Sequence, residues 1–169
     1  MIQVRVGRLE EMVVPACLRP VAADGTPVTP AMRRLDEALG ARVREQIGRG
    51  GELPVGSAMI TPAGDLAADF LVSIVVRSAD EPVSEAAVER GLVNGLRRLR
   101  EWAIDTAAIV PLGTGAGNLD AEASARVMLR TLLDEMSADA LPRDMIIVVE
   151  SEYEREVFER ELKRCGATP

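Results

Sequence analysis

Histidine is absent from this 169-residue chain, and lysine occurs once, at Lys163 near the C-terminus. Without an imidazole the chain has no Ser-His-Asp triad, no His general base and no His-containing metal site. We therefore expect no metal site, and we expect no bound cofactor either. A reaction that depends on a lysine would have to use Lys163, which argues against lysine-based catalysis in this protein.

Aromatic residues and cysteines are also scarce. Aromatic side chains make up 2% of the sequence, so a platform on which nucleic-acid bases stack could draw on very few of them. The formal net charge of -7 also argues against a nucleic-acid partner, because binding to a phosphate backbone needs clustered cations. The two cysteines, Cys17 and Cys165, form no metal-binding spacing and are expected to be reduced.

Long apolar runs are missing as well. None approaches the ~20 residues needed to cross a bilayer, and the first residues lack the layout of a signal peptide. We expect a cytoplasmic protein with no membrane partner. The length and the 47% hydrophobic content predict a single domain over residues 1–169, and a homo-oligomer remains open.

Short apolar runs alternate with amphipathic segments along most of the chain. Strands are predicted at 2–6, 12–18, 70–76, 106–112 and 144–149, with a short strand followed by a turn within 56–66, and helices at 30–47, 85–103, 120–136 and 152–164. Residues 20–30 are predicted to form a loop. From about residue 53 the strands are apolar on both faces. This pattern predicts an α/β fold with helices on both sides of a largely parallel sheet.

The most informative segment is residues 109–118, which read IVPLGTGAGN and lie between a predicted strand and a predicted helix. Its glycines let the backbone bend and present N–H groups without interference from Cβ atoms. The following helix adds the positive end of its dipole at the same place. The pattern indicates an anion-binding loop, although a plain tight turn also uses glycine. The candidate ligand-binding residues in this loop are Gly113, Thr114, Gly115, Ala116, Gly117 and Asn118.

Two segments resemble the macro domain, a family in which many members bind ADP-ribose. Residues 56–70, GSAMITPAGDLAADF, are similar to the family's Gly-x-Ala-x-x-Thr run, glycine turn and apolar strand. Residues 92–115 resemble its helix and the strand that ends in Pro-x-x-Gly-Thr-Gly. The resemblance extends over residues 53–164 and implies a three-layer α/β/α fold around a mixed, largely parallel sheet. It also implies that residues 113–117 wrap the diphosphate of ADP-ribose or a related nucleotide.

The N-terminal third departs from the family pattern. Relatives have Gly-Asp-Ile where this chain has Gly7-Arg8-Leu9, and their Asp holds the adenine amino group. Their Asn-Ala-Ala-Asn segment, which grips the distal ribose, is replaced by residues 18–24, which contain no asparagine. Arg8 and Arg19 are therefore candidates for phosphate contacts, since guanidinium pairs with phosphate oxygens. The alternative for each, which the residue type favours, is a surface cation.

Two further positions bear on the adenine end of the implied site. Glu10 or Glu11 could replace the missing Asp as an acceptor for the amino group. The aromatic residue that often stacks near the adenine has no match at Val149 or Glu150. Tyr153 follows shortly afterwards, and its ring is expected to pack against its own helix.

Catalysis has one weak candidate. The asparagine and the glycine-rich loop that place water in the family's hydrolases are both missing here. Asp24 could act as a general base, or it could cap its own backbone in an Asp-Gly turn. The leading hypothesis is a module that binds ADP-ribose without clear hydrolase activity. The alternatives are a divergent ADP-ribosyl hydrolase or O-acetyl-ADP-ribose deacetylase, and a structural macro-like domain without a ligand.

Overall fold

A six-stranded sheet forms the centre of the computed structural model, which describes residues 1–115, 118–137 and 139–166. Its strands are β1 (Ile2–Val6), β2 (Ala16–Ala22), β3 (Ala58–Pro62), β4 (Phe70–Arg77), β5 (Thr106–Ile109) and β6 (Asp144–Val149). They lie in the order β1-β6-β5-β2-β4-β3. All neighbouring strands are parallel except β3, which runs antiparallel to β4. The predicted mixed, largely parallel sheet is confirmed.

Helices cover both faces of this sheet. They are α1 (Pro30–Leu39), α2 (Ala41–Gly48), α3 (Glu85–Glu101), α4 (Ala121–Glu135) and α5 (Glu152–Arg164), with a short 3-10 helix at Leu9–Glu11. Asp36 of α1 reaches Arg19 on one face of β2, whereas Gly95 of α3 lies against Leu18, which points to the other face. α4 packs against both α3 and α5. The result is the predicted three-layer α/β/α arrangement. None of these helices, within the described ranges, is long and apolar enough to span a membrane.

The helix starts follow the local sequence closely. Thr29, Ser84, Asp120 and Ser151 each accept, through a side-chain oxygen, the backbone N–H three residues further on. These bonds satisfy donors that have no partner inside the helix. All four helices with such a cap begin within one residue of the predicted position.

Several predicted boundaries were wrong. β2 covers Ala16–Ala22 rather than 12–18, so the first three residues of the predicted loop 20–30 belong to this strand, as does Arg19. Arg19 breaks the apolar pattern, but Asp36 neutralises its charge across the layer boundary. The predicted helix 30–47 divides at Gly40, whose φ of 87° lies outside the helical region. β5 ends at Ile109 rather than at 112, because the chain then enters the glycine-rich segment 110–118, which we call the glycine loop.

The direction of the strands determines where a ligand could bind. β2, β5 and β6 are parallel neighbours, so the segments that follow them meet at one edge of the sheet. In open α/β sheets, ligands bind outside the carboxyl ends of the strands. The segments at this edge are the start of α1, the glycine loop and the start of α5.

Candidate functional site

A cavity of about 340 Å³ opens at the carboxyl ends of β2, β5 and β6. Its floor is apolar and includes Pro20, Val110 and Val148, one residue from each of these strands or its extension. The remaining lining residues are Thr29, Pro30, Ala31 and Met32 from α1 and its cap, Pro111, Thr114 and Gly115 from the glycine loop, and Glu150 and Glu154 from the start of α5. The predicted loop is therefore part of a real concavity.

The glycine loop is anchored on both sides. The Ser124 hydroxyl donates to the Leu112 carbonyl oxygen at 2.7 Å, and the Asn118 side-chain amide donates to the Val83 carbonyl oxygen at 2.8 Å. Between these anchors Gly113 and Gly115 have φ values of 86° and 71°. This left-handed backbone is strained for any residue with a Cβ. The loop therefore needs glycine at both positions.

The anchored loop leaves backbone donors available. No backbone carbonyl of the described residues accepts a hydrogen bond from the N–H groups of Gly113, Thr114 or Gly115. Thr114 and Gly115 line the cavity. Successive N–H groups of this kind form an anion-binding concavity. Two of the predicted ligand residues, Ala116 and Gly117, lie outside the described residues.

The first turn of α1 forms the wall opposite the loop. Thr29 Oγ1 accepts the Met32 N–H at 3.2 Å, which fixes the helix start at the cavity. A Cβ on Gly115 would lie 3.1 Å from Thr29 Cγ2, so the loop and the helix start are in close contact. The positive end of the α1 dipole therefore lies on the same cavity as the loop. An anion here would meet dipoles from two elements.

Arg19 does not line this cavity, although it precedes Pro20 of the floor in β2. Its side chain is 1% exposed, its guanidinium donates to Asp36, and its Nε donates to Ser73 Oγ at 3.2 Å. Burial lowers the pKa of Arg19, and the charge of Asp36 opposes that change. Its donors at Nε and one terminal nitrogen are thus directed to Ser73 and Asp36.

Arg8 and Asp24, the other two candidates, do not line the cavity. Arg8 is exposed at the start of the 3-10 helix. Asp24 Oδ1 accepts the Thr26 N–H at 3.0 Å and the Thr26 hydroxyl at 2.6 Å. These two hydrogen bonds lower the pKa of Asp24, because they stabilise its charged form. The geometry is that of an Asx turn.

Carboxylates that the sequence did not single out form the β6 side of the cavity. Arg34 donates both to Glu150 and to Glu10, which joins α1 to two other segments. Glu154 Oε2 accepts the Glu150 N–H and the Ser151 hydroxyl, each at 3.2 Å. Glu10 Oε2 is buried and has no hydrogen-bond partner in the described part of the chain. The one available signal for Glu150 was its place directly after a buried parallel strand.

Two smaller expectations can be compared with the structure. Tyr153 is exposed, and its hydroxyl donates to Glu122 of α4 at 3.1 Å. Both cysteines are free, Cys17 buried and Cys165 exposed. Burial raises the pKa of Cys17 to about 12.

No group of three or more Cys, Asp or Glu side chains able to hold a metal occurs in the ranges described.

The chain belongs to the Macro domain family, whose sequence model matches residues 29–128. This match includes the start of α1, the glycine loop and the beginning of α4. The family predicted from the residues is therefore confirmed. The N-terminal segment that departs from the family pattern lies before the matched residues.

Individual relatives and structures agree with this result. The chain is 29% identical over 134 residues to the O-acetyl-ADP-ribose deacetylase of Escherichia coli (strain K12), covering 78% of this chain and 73% of that protein. The Oceanobacillus iheyensis macrodomain with ADP has a TM-score of 0.84 at 16% identity, over 96% of this chain and 90% of the other. A variant of the same macrodomain with ADPR has a TM-score of 0.85 at 16% identity, over 96% and 91%. At this identity the two structures establish the fold.

Proposed function

We propose that this protein binds ADP-ribose or a closely related nucleotide diphosphate in the cavity at the carboxyl edge of the sheet. The observation that carries the proposal is the glycine loop beside the start of α1, where the N–H groups of Gly113, Thr114 and Gly115 donate to no backbone carbonyl of the described residues. The similar structures named for ADP and ADPR support it, as does the family to which the chain belongs.

The loop suits a diphosphate in physical terms. A diphosphate needs several donors that are already oriented, and backbone N–H groups supply them without the loss of side-chain entropy. The dipole of α1 adds positive potential on the opposite wall. In this proposal Ala116, Gly117 and Asn118 complete the loop. Arg8 contributes at the rim, and Arg19, whose charge is paired with Asp36, supports the floor from the strand that carries Pro20.

The test compares two glycines that have the same positive φ. Gly115 and Gly51 both have a φ of 71°, but a Cβ on Gly51 would meet nothing within 4 Å. Gly115→Glu introduces bulk and negative charge at the proposed diphosphate site. Gly51→Glu introduces the same side chain at the same φ, but away from the cavity. Thermal unfolding of the wild type and of both variants is measured with ADP-ribose, ADP, AMP and phosphate.

The expected result follows from linkage. A ligand at about 100 times its dissociation constant adds about 2.7 kcal/mol of stability. In a chain of this size that free energy raises the melting temperature by roughly 5–10 °C. ADP-ribose should produce this shift in the wild type and in Gly51→Glu, but not in Gly115→Glu. Absence of a shift in the wild type with every nucleotide would mean that the loop is a turn in a domain without this ligand.

A hydrolase is the second candidate, because the curated relative is named O-acetyl-ADP-ribose deacetylase. Asp24 is the proposed base in that case, although its oxygen already accepts two hydrogen bonds from Thr26. Release of acetate from O-acetyl-ADP-ribose is measured for the wild type and for Asp24→Asn. Binding without acetate release supports the binding module. Acetate release that Asp24→Asn abolishes supports the enzyme.

A further inference from the structure

The two sides of the cavity have opposite electrostatic character. The glycine loop follows β5, α1 follows β2, and Glu150 and Glu154 follow β6. Neighbouring strands in a sheet lie about 4.8 Å apart. A diphosphate at Thr114 and Gly115 therefore lies about one strand spacing from the segment that carries the two carboxylates.

These carboxylates are only partly neutralised. Arg34 donates to Glu150 and also to Glu10, so one guanidinium serves two negative charges. Glu154 is held by the Ser151 hydroxyl and the Glu150 N–H, which are neutral donors. Among the described residues that line the cavity, Glu150 and Glu154 carry charge and none is Arg or Lys. Because one guanidinium faces three carboxylates, those of Glu10, Glu150 and Glu154, these side chains together carry a net negative charge on the β6 side.

We infer that Glu150 and Glu154 determine specificity by excluding nucleotides that carry a phosphate monoester in addition to the diphosphate. The inference rests on the proposed function, because the diphosphate in the loop positions the rest of the ligand. Ionised carboxylates accept hydrogen bonds and donate none. They therefore suit the hydroxyl groups of a ribose or an amino group, and they repel a second anionic group.

Conservative variants separate this charge effect from shape. Glu150→Gln together with Glu154→Gln removes both charges at nearly constant volume, and Gln at position 154 can still bond to the start of α5. The control pair, Glu156→Gln with Glu45→Gln, removes the same net charge from two exposed positions that do not line the cavity. A difference in ligand affinity between the two pairs of substitutions thus reports the local charge of the cavity rather than the total charge of the protein.

Calorimetry measures the dissociation constants of ADP-ribose, ADP-ribose 2′-phosphate and ADP-ribose 1″-phosphate. The two phosphorylated probes place the monoester on one ribose or on the other, so together they test both ends of the ligand. We expect one probe to bind the wild type and the control pair at least about tenfold more weakly than ADP-ribose. In the variant with Glu150→Gln and Glu154→Gln, which we call the cavity double variant, the dissociation constant of that probe should exceed the one of ADP-ribose by a factor of about two or less. This factor should also decrease in the wild type as salt is raised, because screening weakens charge repulsion.

Two results would overturn the inference while leaving the proposed function intact. The first is equal affinity of the wild type for ADP-ribose and both phosphorylated probes. The second is a discrimination that persists unchanged in the cavity double variant, which would assign it to steric exclusion. Failure of the wild type to bind ADP-ribose at all would overturn the proposed function, and this inference with it.

Discussion

The segment after β5 and the segment around β2 are built on different principles, although both contribute to the same cavity. The glycine loop after β5 depends on backbone geometry, with positive φ at Gly113 and Gly115 and N–H groups that no backbone carbonyl in the described part of the chain accepts. The β2 segment depends on paired charges, with Arg19 buried against Asp36. A site built from backbone groups can be recognised in the sequence by its glycines. A buried charge pair cannot be recognised in this way, because its two residues are far apart in the chain.

The same difference affects how each segment tolerates substitution. A side chain that replaces a glycine of the loop acts locally, because it strains the backbone and occupies the space next to Thr29. A residue changed in the β2 pair leaves a charge without its partner inside the protein, which is costly. The following predictions test this contrast, in order of expected effect.

The largest effect is expected from Asp36→Leu. It leaves the Arg19 guanidinium, which is 1% exposed, without its carboxylate. Breaking a buried pair in this way costs about 3–5 kcal/mol of the free energy of unfolding, as measured by urea denaturation. Replacing both partners, as Arg19→Met with Asp36→Leu, should recover most of that loss. A single-variant cost below about 1 kcal/mol would contradict the assigned role of the pair.

A smaller effect is expected from Gly113→Ala. The left-handed backbone at a φ of 86° costs an L-residue about 1–2 kcal/mol. In addition, the new Cβ would lie 2.7 Å from Leu119 Cδ1, and overpacking of this kind adds about 1–3 kcal/mol. Gly51→Ala is the matched control, because a Cβ there meets nothing within 4 Å. Equal losses in urea denaturation would show that the loop is not closely packed.

Asp24→Asn should change stability in a pH-dependent way. Thr26 holds the pKa of Asp24 below its usual value, so the charged form stabilises the folded state. That stabilisation is present above the pKa of the unfolded chain, about 3.9, and is lost as the pH falls through the lower folded pKa. The wild type should thus be the more stable protein at pH 7, and the gap should narrow below about pH 4. A gap independent of pH would exclude the charge as its cause.

The smallest effect is a difference in thiol reactivity that leaves stability unchanged. Cys17 is buried in β2 with a pKa of about 12, whereas Cys165 is exposed. Because the thiolate is the reactive form, Cys165 should react with a thiol reagent at neutral pH and Cys17 should react only after unfolding. Cys165→Ser is the control, and it should remove the fast phase of the reaction. Rapid modification of both thiols in the native protein would mean that β2 opens readily.

Much of the fold could be predicted because its signals are local. The caps at Thr29, Ser84, Asp120 and Ser151 lie within three residues of the groups that they bond. The apolar strands β4 and β6 were also predicted within one residue of their observed ends. β2 was not, because Arg19 and Pro20 interrupt the apolar pattern, and their burial depends on a helix further along the chain.

The sequence by itself determined the alternation of strands and helices, the family and the glycine loop, since each depends on short-range geometry or on residue type. Only the tertiary structure decided which charges meet. Arg34 contacts Glu150, 116 residues away, because α1 and the end of β6 converge at one edge of the sheet. Side-chain pairing over such separations follows from strand order, and strand order results from packing the whole chain.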